Sequence, residues 1–297
     1  MLGVCHTLEK VASSNATVVL IGENGTGKGL LTRGLHEASL RKEGKFVAVD
    51  CSTATDTLES ELFGYEKGAF VGATKLTLGK IEAASGGTLM LDEIGDLQPS
   101  LQTKLLHLLR ERTVERLGTK TDIAVDVRIV CATRKDLKGL VTQGHFREDL
   151  YYRLAEIVVS IPPLRDRDGD PAWLAHMFLR RFAQEQNRGP MSLDWRAVRA
   201  IEAYPWPGNV PELRNCIKRG TIMANSNQLS PDDIGLEAAL VDEANDTLDL
   251  RQIREEAERR AIVVALGRVN GNVVKAAELL RVSRPTLYDL MRRLGLK

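Results

Sequence analysis

The spacing of apolar and polar positions changes twice along the chain. Five short apolar runs rich in β-branched residues punctuate the first half, at residues 17–21, 46–51, 88–91, 127–132 and 156–161. Between them lie stretches with apolar positions at helical spacing, such as 29–41 and 101–112. Runs that are continuously apolar rather than alternating, separated by amphipathic helices, predict a mostly parallel sheet covered on both faces. After Pro162-Pro163 the strand signal stops, and residues 171–187, 194–203 and 210–224 read as the helices of an attached subdomain. Residues 225–249 are polar, with Ser230-Pro231-Asp232-Asp233 placed to cap a helix and 241–246 reading as a linker. The last block, 250–297, reads as one long helix and two shorter ones.

Composition narrows the class. The chain has 297 residues, of which 43% are hydrophobic and 27% charged, a balance that fits about two soluble domains and excludes disordered and collagen-like sequence. No apolar run approaches membrane length, and the first residues lack a secretory signal, so the expected location is the cytoplasm, with no membrane partner. Cys5, Cys51, Cys131 and Cys216 are widely spaced without a CxxC pair, which fits reduced thiols rather than a metal cluster. Charge is nearly balanced overall, at 41 Lys+Arg against 40 Asp+Glu, but unevenly placed. Residues 250–297 carry 11 basic and 5 acidic side chains, a net +6, which leaves about −5 for the rest. Charge alone is a weak argument for nucleic acid, because basic helices are more often solvated faces.

Chemistry enters at residues 22–29. Gly22, Glu23, Asn24, Gly25, Thr26, Gly27 and Lys28 follow the first strand and open a helix, the setting of a phosphate-binding loop. Its glycines let backbone N–H groups turn toward phosphates, the helix terminus adds its dipole, and Lys28 would reach the β- and γ-phosphates of ATP. The general motif continues with Ser or Thr; here Gly29 stands there, so a hydroxyl ligand for Mg²⁺ is missing. A second strand ends in Asp92-Glu93, where one acid would hold Mg²⁺ and the next would polarise the attacking water. Either motif alone could be an ordinary turn; together they point to nucleotide hydrolysis.

The sequence resembles the AAA+ domain of bacterial enhancer-binding proteins, the activators of sigma-54 RNA polymerase, followed by their Fis-type helix-turn-helix. Gly25-Thr26-Gly27-Lys28, Glu61-Leu62-Phe63-Gly64, Gly68-Ala69-Phe70-Val71-Gly72-Ala73, Phe146-Arg147-Glu148-Asp149-Leu150-Tyr151-Tyr152-Arg153-Leu154, Pro162-Pro163-Leu164-Arg165 and Trp206-Pro207-Gly208-Asn209 carry the likeness. The stretch from Ser283 to Leu290 is similar to response regulators of two-component systems linked to exopolysaccharide and PEP-CTERM sorting. The resemblance implies an α/β P-loop ATPase with a parallel five-stranded sheet between helices (1–165), an α-helical lid (166–236), a linker (237–249) and an all-α helix-turn-helix domain (250–297). It further implies a homo-oligomer, from dimer to hexameric ring, with ATP and Mg²⁺ at subunit interfaces. Arg147 and Arg153 match the family's arginine fingers, which reach the γ-phosphate of a neighbour. Gly68, Ala69, Phe70, Val71, Gly72 and Ala73 match the loop that contacts sigma-54.

Several positions depart from that pattern. Val71 replaces a Thr, Asp50 an Asn beside the catalytic Glu93, Arg134 (after Thr133) a sensor Asn, and Pro211 a sensor Arg of the lid. Pro211 fits a first helical turn behind an Asn209 cap but removes a positive charge from the phosphates. Asp50 and Arg134 are expected to form a compensating pair, and hydrolysis is expected to be weaker than usual for the family. Relatives have more sequence before Val4, including residues near the adenine and a receiver domain, which implies a truncated chain or control by a partner.

In the tail, Leu250, Ile253, Ala257, Ala261, Val264 and Ala265 form a stripe suited to a partner helix, and the resemblance implies dimerisation there. Gly271-Asn272 then opens a helix over 273–280, and a turn at 281–283 leads to a last helix ending at 294. Ser283, Arg284, Pro285, Thr286 and Tyr288 lie near its start, placed for bases and phosphates in a major groove at upstream enhancer sites, with Arg292 as a phosphate contact. The expected function is ATP-dependent activation of sigma-54 polymerase from DNA. The alternatives are a degenerate member that binds ATP and DNA without activating, a general AAA+ loader or chaperone, and a tail used only for assembly.

Overall fold

The computed structural model describes residues 1–236, 273–294 and, between them, 254, 255, 258, 259, 261, 262 and 265. The chain divides into two compact units, Met1–Ala239 and Leu240–Lys297. The expected linker, the Gly271-Asn272 cap, and Leu250, Ile253, Ala257 and Val264 lie outside the described residues.

Five strands, β1 (Val18–Ile21), β2 (Phe46–Asp50), β3 (Thr88–Asp92), β4 (Arg128–Thr133) and β5 (Ile157–Ser160), form one parallel sheet in the order β2-β3-β4-β1-β5. Each lies within two residues of its sequence-predicted run. Successive side chains of a strand face opposite ways, and both faces are covered. Val19, Leu89, Leu91 and Ile129 pack against α3 (Thr55–Phe63), α4 (Pro99–Glu111) and α5 (Glu148–Leu154). Val18, Leu20, Met90 and Val130 pack against α1 (Leu2–Ala12) and α2 (Lys28–Glu37). The central strands β1, β3 and β4, with an apolar layer on either side, keep almost no solvent-facing positions, which explains why their runs are continuous, whereas the edge strands β2 and β5 expose Ala48, Asp50, Val158 and Ser160. Arg128 is buried among these layers; its guanidinium donates to Val11 O and Ala12 O at 3.0 Å, closing the C-terminus of α1.

The lid comprises α6 (Asp170–Glu185), α7 (Trp195–Ala203), α8 (Asn209–Met223) and α9 (Pro231–Ile234). Asp194 caps α7 by accepting the Arg196 N–H; Ser230 caps α9 as expected, and Asp233 completes a capping box with it. Trp206 is 1% exposed at the centre, with its indole N–H on Ile201 O at 2.8 Å. The lid also holds a minimal parallel pair, Ser192–Leu193 with Gln228–Leu229. Two-residue strands carry no period, so the expectation that strands stop after Pro162-Pro163 misses it.

The C-terminal unit contains α10 (Val273–Leu279) and α11 (Arg284–Arg293). Ile262, Ala265, Ala276, Ala277, Leu287 and Met291 make its core. Within the expected stripe, Ala265 is buried but Ala261 is exposed; Ile262 faces inward instead.

Candidate nucleotide site and its loops

β1 ends at Ile21, and the Gly22 N–H donates to Thr133 O at 3.1 Å, tying the phosphate-binding loop to the end of β4. Gly25 and Gly27 take φ of 80° and 99°, which L side chains avoid. α2 then starts at Lys28 with no side-chain cap on its first N–H groups, leaving them for an anion. Lys28 is 7% exposed; its Nζ donates to Gly22 O at 2.9 Å and Glu23 O at 3.2 Å, and lies 3.6 Å from Glu93 Oε1. Thr26 is buried and donates to Glu23 O at 2.8 Å. Asn24 turns its backbone carbonyl toward the lid, where Asn209 donates to it. A Cβ at Gly29 would find only Met90 Cε, at 3.9 Å, so the missing hydroxyl is not imposed by crowding.

Asp92 and Glu93 close β3 beside this loop. The Glu93 backbone is left-handed, φ 50° and ψ 46°, an uncommon state for a non-glycine residue and one concentrated at functional sites. Its N–H donates to Asp92 Oδ1 at 3.1 Å, and its Oε2 accepts the Arg134 N–H at 3.2 Å. Burial pushes the Asp92 carboxyl above its usual range; the Glu93 N–H pulls it back, and the Glu93 and Asp50 charges push it further up. Negative charge gathered in this way suits a divalent cation. Mg²⁺ needs only one or two carboxylates when phosphate oxygens complete its shell, so Asp92 fits as a metal ligand.

Asp50 and Asp92 are aligned in the β2–β3 register, yet the expected pair with Arg134 is not formed. Asp50 Oδ1 accepts the Ser52 N–H at 2.9 Å and the Ser52 hydroxyl at 2.7 Å. A serine two residues away captures the carboxylate locally, an Asx-type turn at lower entropic cost than a distant partner. Arg134 meets Glu93 through its backbone, and its side chain is exposed.

Asn209 also differs from expectation. It is not a helix cap: it is fully buried at φ 52°, and its side chain joins three segments. Its Oδ1 accepts the Leu164 N–H at 2.8 Å, and its Nδ2 donates to Asn24 O at 2.9 Å and Glu23 Oε2 at 3.1 Å. Pro211 packs on the phosphate loop, since a Cβ on Gly25 would meet its Cδ at 2.8 Å, and the Val210 N–H donates to Gly25 O at 3.2 Å. The lid therefore touches the loop through a ring and a backbone where a guanidinium was absent from the sequence.

Two further arginines hold this junction. Arg165 makes a two-point bridge to Glu23, at 3.0 and 2.6 Å; with the Asn209 bond it draws the Glu23 carboxyl down to about 2. Arg167 is buried and donates to Pro162 O at 2.9 Å and Thr26 O at 2.8 Å. In the sequence Arg165 stands out only as part of a motif and Arg167 not at all; their pairing across about 140 residues has no local signal.

Residues 68–73 form an exposed tip. Gly68 and Gly72 adopt φ of 84° and 107°; the Gly68 N–H reaches Ala73 O at 2.9 Å and the Ala73 N–H reaches Phe70 O at 3.0 Å. Ala69 lies against Gly118 of a second hairpin, Thr113–Glu115 with Asp122–Ala124. Phe70 is 47% exposed and edge-on to Tyr65; Val71 is fully exposed, with no intramolecular reason to be apolar. The base pairs Gly64–Tyr65 with Thr77–Leu78. Arg116, from the second hairpin, bridges it, binding Glu82 at 2.8 and 2.7 Å and Glu66 at 2.8 Å. The Arg116 bonds hold the Glu82 carboxyl below its usual range. No sequence motif pointed to this clamp.

Arg147 immediately precedes α5 and Arg153 lies in its last turn, and neither bonds to the phosphate loop or the acidic pair of its own chain. Arg147 is exposed and bridged to Asp149 at 3.0 and 2.8 Å; its backbone N–H is held by buried Gln102 at 2.8 Å. Arg153 Nη2 lies 3.4 Å from Leu109 O. In the C-terminal unit, Ser283 caps α11 by accepting the Thr286 N–H at 3.2 Å. Ser283, Arg284, Pro285, Thr286, Tyr288 and Arg292 are all exposed, consistent with one accessible surface at the start and end of α11.

Three protein families match the chain: the Sigma-54 interaction domain over residues 1–160, the AAA+ ATPase lid domain over 165–252, and the bacterial regulatory protein, Fis family, over 253–294. Regulatory protein AtoC of Escherichia coli is 40% identical and the alginate regulator AlgB of Pseudomonas aeruginosa 41% identical, each over 100% of this chain and 66% of its own length. The Nif-specific regulatory protein of Azotobacter vinelandii is 42% identical over 94% of this chain and 54% of its own. The chain thus spans less than two thirds of these relatives. The crystal structure of NtrX from Brucella abortus in complex with ADP superposes with a TM-score of 0.74 at 32% identity, covering 99% of this chain and 68% of that one. With the phosphate loop, the acidic pair and the exposed tip assembled on one sheet, and the family match spanning that unit, this chain belongs to the Sigma-54 interaction domain family.

Proposed function

We propose that this protein is an ATP-hydrolysing, DNA-bound transcriptional activator in the cytoplasm that remodels closed complexes of sigma-54 RNA polymerase. The observation that carries the reading is the pairing, in one compact unit, of a nucleotide site with an exposed apolar tip that the fold itself does not need. Val71 on that tip has no intramolecular packing role and stands beside half-exposed Phe70, so the tip offers two adjacent apolar side chains to a partner. The likeness of the whole chain to regulators of this family favours this reading over a degenerate or general AAA+ role.

In the hydrolytic step, Lys28 and the N–H groups of the loop hold the β- and γ-phosphates; Asp92 would hold Mg²⁺, which would offset phosphate charge. Glu93 orients the water and accepts its proton. Arg147 and Arg153, which bond to neither the phosphate loop nor the acidic pair of their own chain, act from a neighbouring subunit of a ring, where an arginine finger contributes about 10³-fold or more. The Fis-type domain holds the assembly on upstream DNA through residues 283–292.

The test is transcription in vitro from a sigma-54 promoter with an upstream site. Open complexes should require hydrolysable ATP, vanish with Lys28→Ala through loss of nucleotide binding, and vanish with Glu93→Gln while binding survives. ATP-independent opening, or hydrolysis without any effect on the polymerase, defeats the proposal.

A further inference from the structure

Five consecutive carbonyls of the phosphate loop, Gly22 to Thr26, are each held by a donor. Gly22 O accepts from Lys28 Nζ at 2.9 Å, and Glu23 O accepts from the same ammonium at 3.2 Å and from the Thr26 hydroxyl at 2.8 Å. Asn24 O accepts from Asn209 Nδ2 at 2.9 Å, Gly25 O from the Val210 N–H at 3.2 Å, and Thr26 O from Arg167 Nη2 at 2.8 Å. In a trans peptide the C=O and N–H point opposite ways. Tying a carbonyl to the body of the protein therefore aims the following N–H away from it, and an anion cradle is built from N–H groups aimed at the open side.

The Thr26–Gly27 peptide depends most on its donor. Gly27 takes φ 99°, and a Cβ there would meet nothing within 4 Å, so crowding around Gly27 does not hold this plane. Glycine populates both signs of φ, which leaves the peptide before it able to turn over and present a carbonyl where phosphate oxygens belong. Among the described residues the Gly27 N–H has no acceptor.

Arg167 is built to hold that plane. It is 6% exposed, and its Nε is fixed on Pro162 O at 2.9 Å, just after β5. It follows the short turn Leu164–Asp166, whose first N–H is held by Asn209. Of the donors to Asn24, Gly25 and Thr26, only Arg167 carries charge, which makes its bond the strongest of the three. Among the described residues it makes no ion pair, a costly state for a buried cation. Phosphate bound on the far side of the same peptide supplies the missing negative charge.

We propose that Arg167 is a positioning residue for nucleotide binding: its guanidinium fixes the Thr26–Gly27 peptide so that the Gly27 N–H faces the phosphates that ATP and ADP share. This rests on the ATPase reading above. Arg167 acts through the loop and touches no phosphate, so its loss weakens binding of both nucleotides and leaves the chemistry at the γ-phosphoryl group to Lys28 and Glu93.

The experiment measures equilibrium binding of fluorescent ATPγS and fluorescent ADP, with Mg²⁺, to the wild-type chain, Arg167→Gln and Arg167→Lys, alongside steady-state hydrolysis over a range of ATP concentrations. The expected result for Arg167→Gln is a loss of about tenfold in affinity for both nucleotides, a matching rise in KM, and a kcat within about twofold of wild type. Arg167→Lys, which keeps a charged donor without the planar fork, should lose about threefold for both, and it carries the test where Arg167→Gln does not fold. Unchanged affinities, a loss confined to ATPγS, or a fall in kcat at unchanged KM overturns the proposal for Arg167. Failure of the wild-type chain to bind either nucleotide overturns the ATPase reading beneath it.

Discussion

Asn209 of the lid and Glu23 of the phosphate loop are joined directly, the carboxamide donating to the carboxylate at 3.1 Å while the same side chain holds Leu164 and Asn24. The lid position and the shape of the phosphate loop are therefore one variable. A loop that rearranges around phosphates must pull on α8, and a lid that swings must pull on Glu23.

Replacing Asn209 with Ala tests how much this junction stabilises. The side chain is fully buried, so truncation strands the Leu164 N–H and the Asn24 carbonyl, and Ala is disfavoured at φ 52°. The expected loss is about 2–3 kcal/mol in urea unfolding. An Asn209→Ala chain as stable as wild type would show that these bonds are replaced by water.

The Glu23 carboxyl gives the junction a defined pH dependence. Its value falls from 4.5 to about 2 on folding, chiefly through Arg165 and then Asn209. A depressed carboxyl stabilises the fold fully above its unfolded value and loses that contribution as pH falls through the folded one. The stability difference between wild type and Glu23→Gln should therefore be flat above pH 4.5 and shrink between 4.5 and about 2. Denaturant titrations at stepped pH check this, and a difference that grows toward acid would contradict the assignment.

Arg116 should matter more to the exposed tip than to the fold. It joins two hairpins through Glu66 and Glu82, and such partly solvated pairs contribute about 1 kcal/mol to stability. Arg116→Ala is expected to leave ATPase activity of the order of wild type, free the base of residues 68–73 and reduce engagement of sigma-54 severalfold. Pull-down with an ATP transition-state analogue measures the last, and a parallel fall in ATPase would instead mean that the clamp supports the nucleotide site.

For the C-terminal unit, Arg284→Ala and Arg292→Ala should each weaken DNA binding and flatten the dependence of log affinity on log salt by about 0.9 for each phosphate left unneutralised. Tyr288, which is 58% exposed on the same helix, should change sequence preference rather than salt slope if it meets bases. Fluorescence anisotropy over a salt series separates the two behaviours.

The five-stranded sheet is legible from the chain alone, because its three central strands, buried on both faces, are continuously apolar and its edge strands still read as short β-branched runs. The phosphate loop and the acidic pair are legible for a different reason, each being contiguous in the chain, and the tip at residues 68–73 stands where glycine spacing and motif coincide. Partnership over long separations, by contrast, emerges only on folding. Asp50 is close enough in the sheet register to Asp92 to suggest a remote cation, yet Ser52 lies two residues away and captures it. Asn209 reads as a cap from its position before a helix, but burial and φ 52° turn its carboxamide toward Glu23. Arg116, Arg165 and Arg167 look like surface charge in one dimension; they become clamps because the fold brings distant carboxylates and carbonyls within reach. Contiguous motifs can be read because their geometry is local, whereas an ion pair closed across a hundred residues depends on where the whole sheet and lid set its two ends.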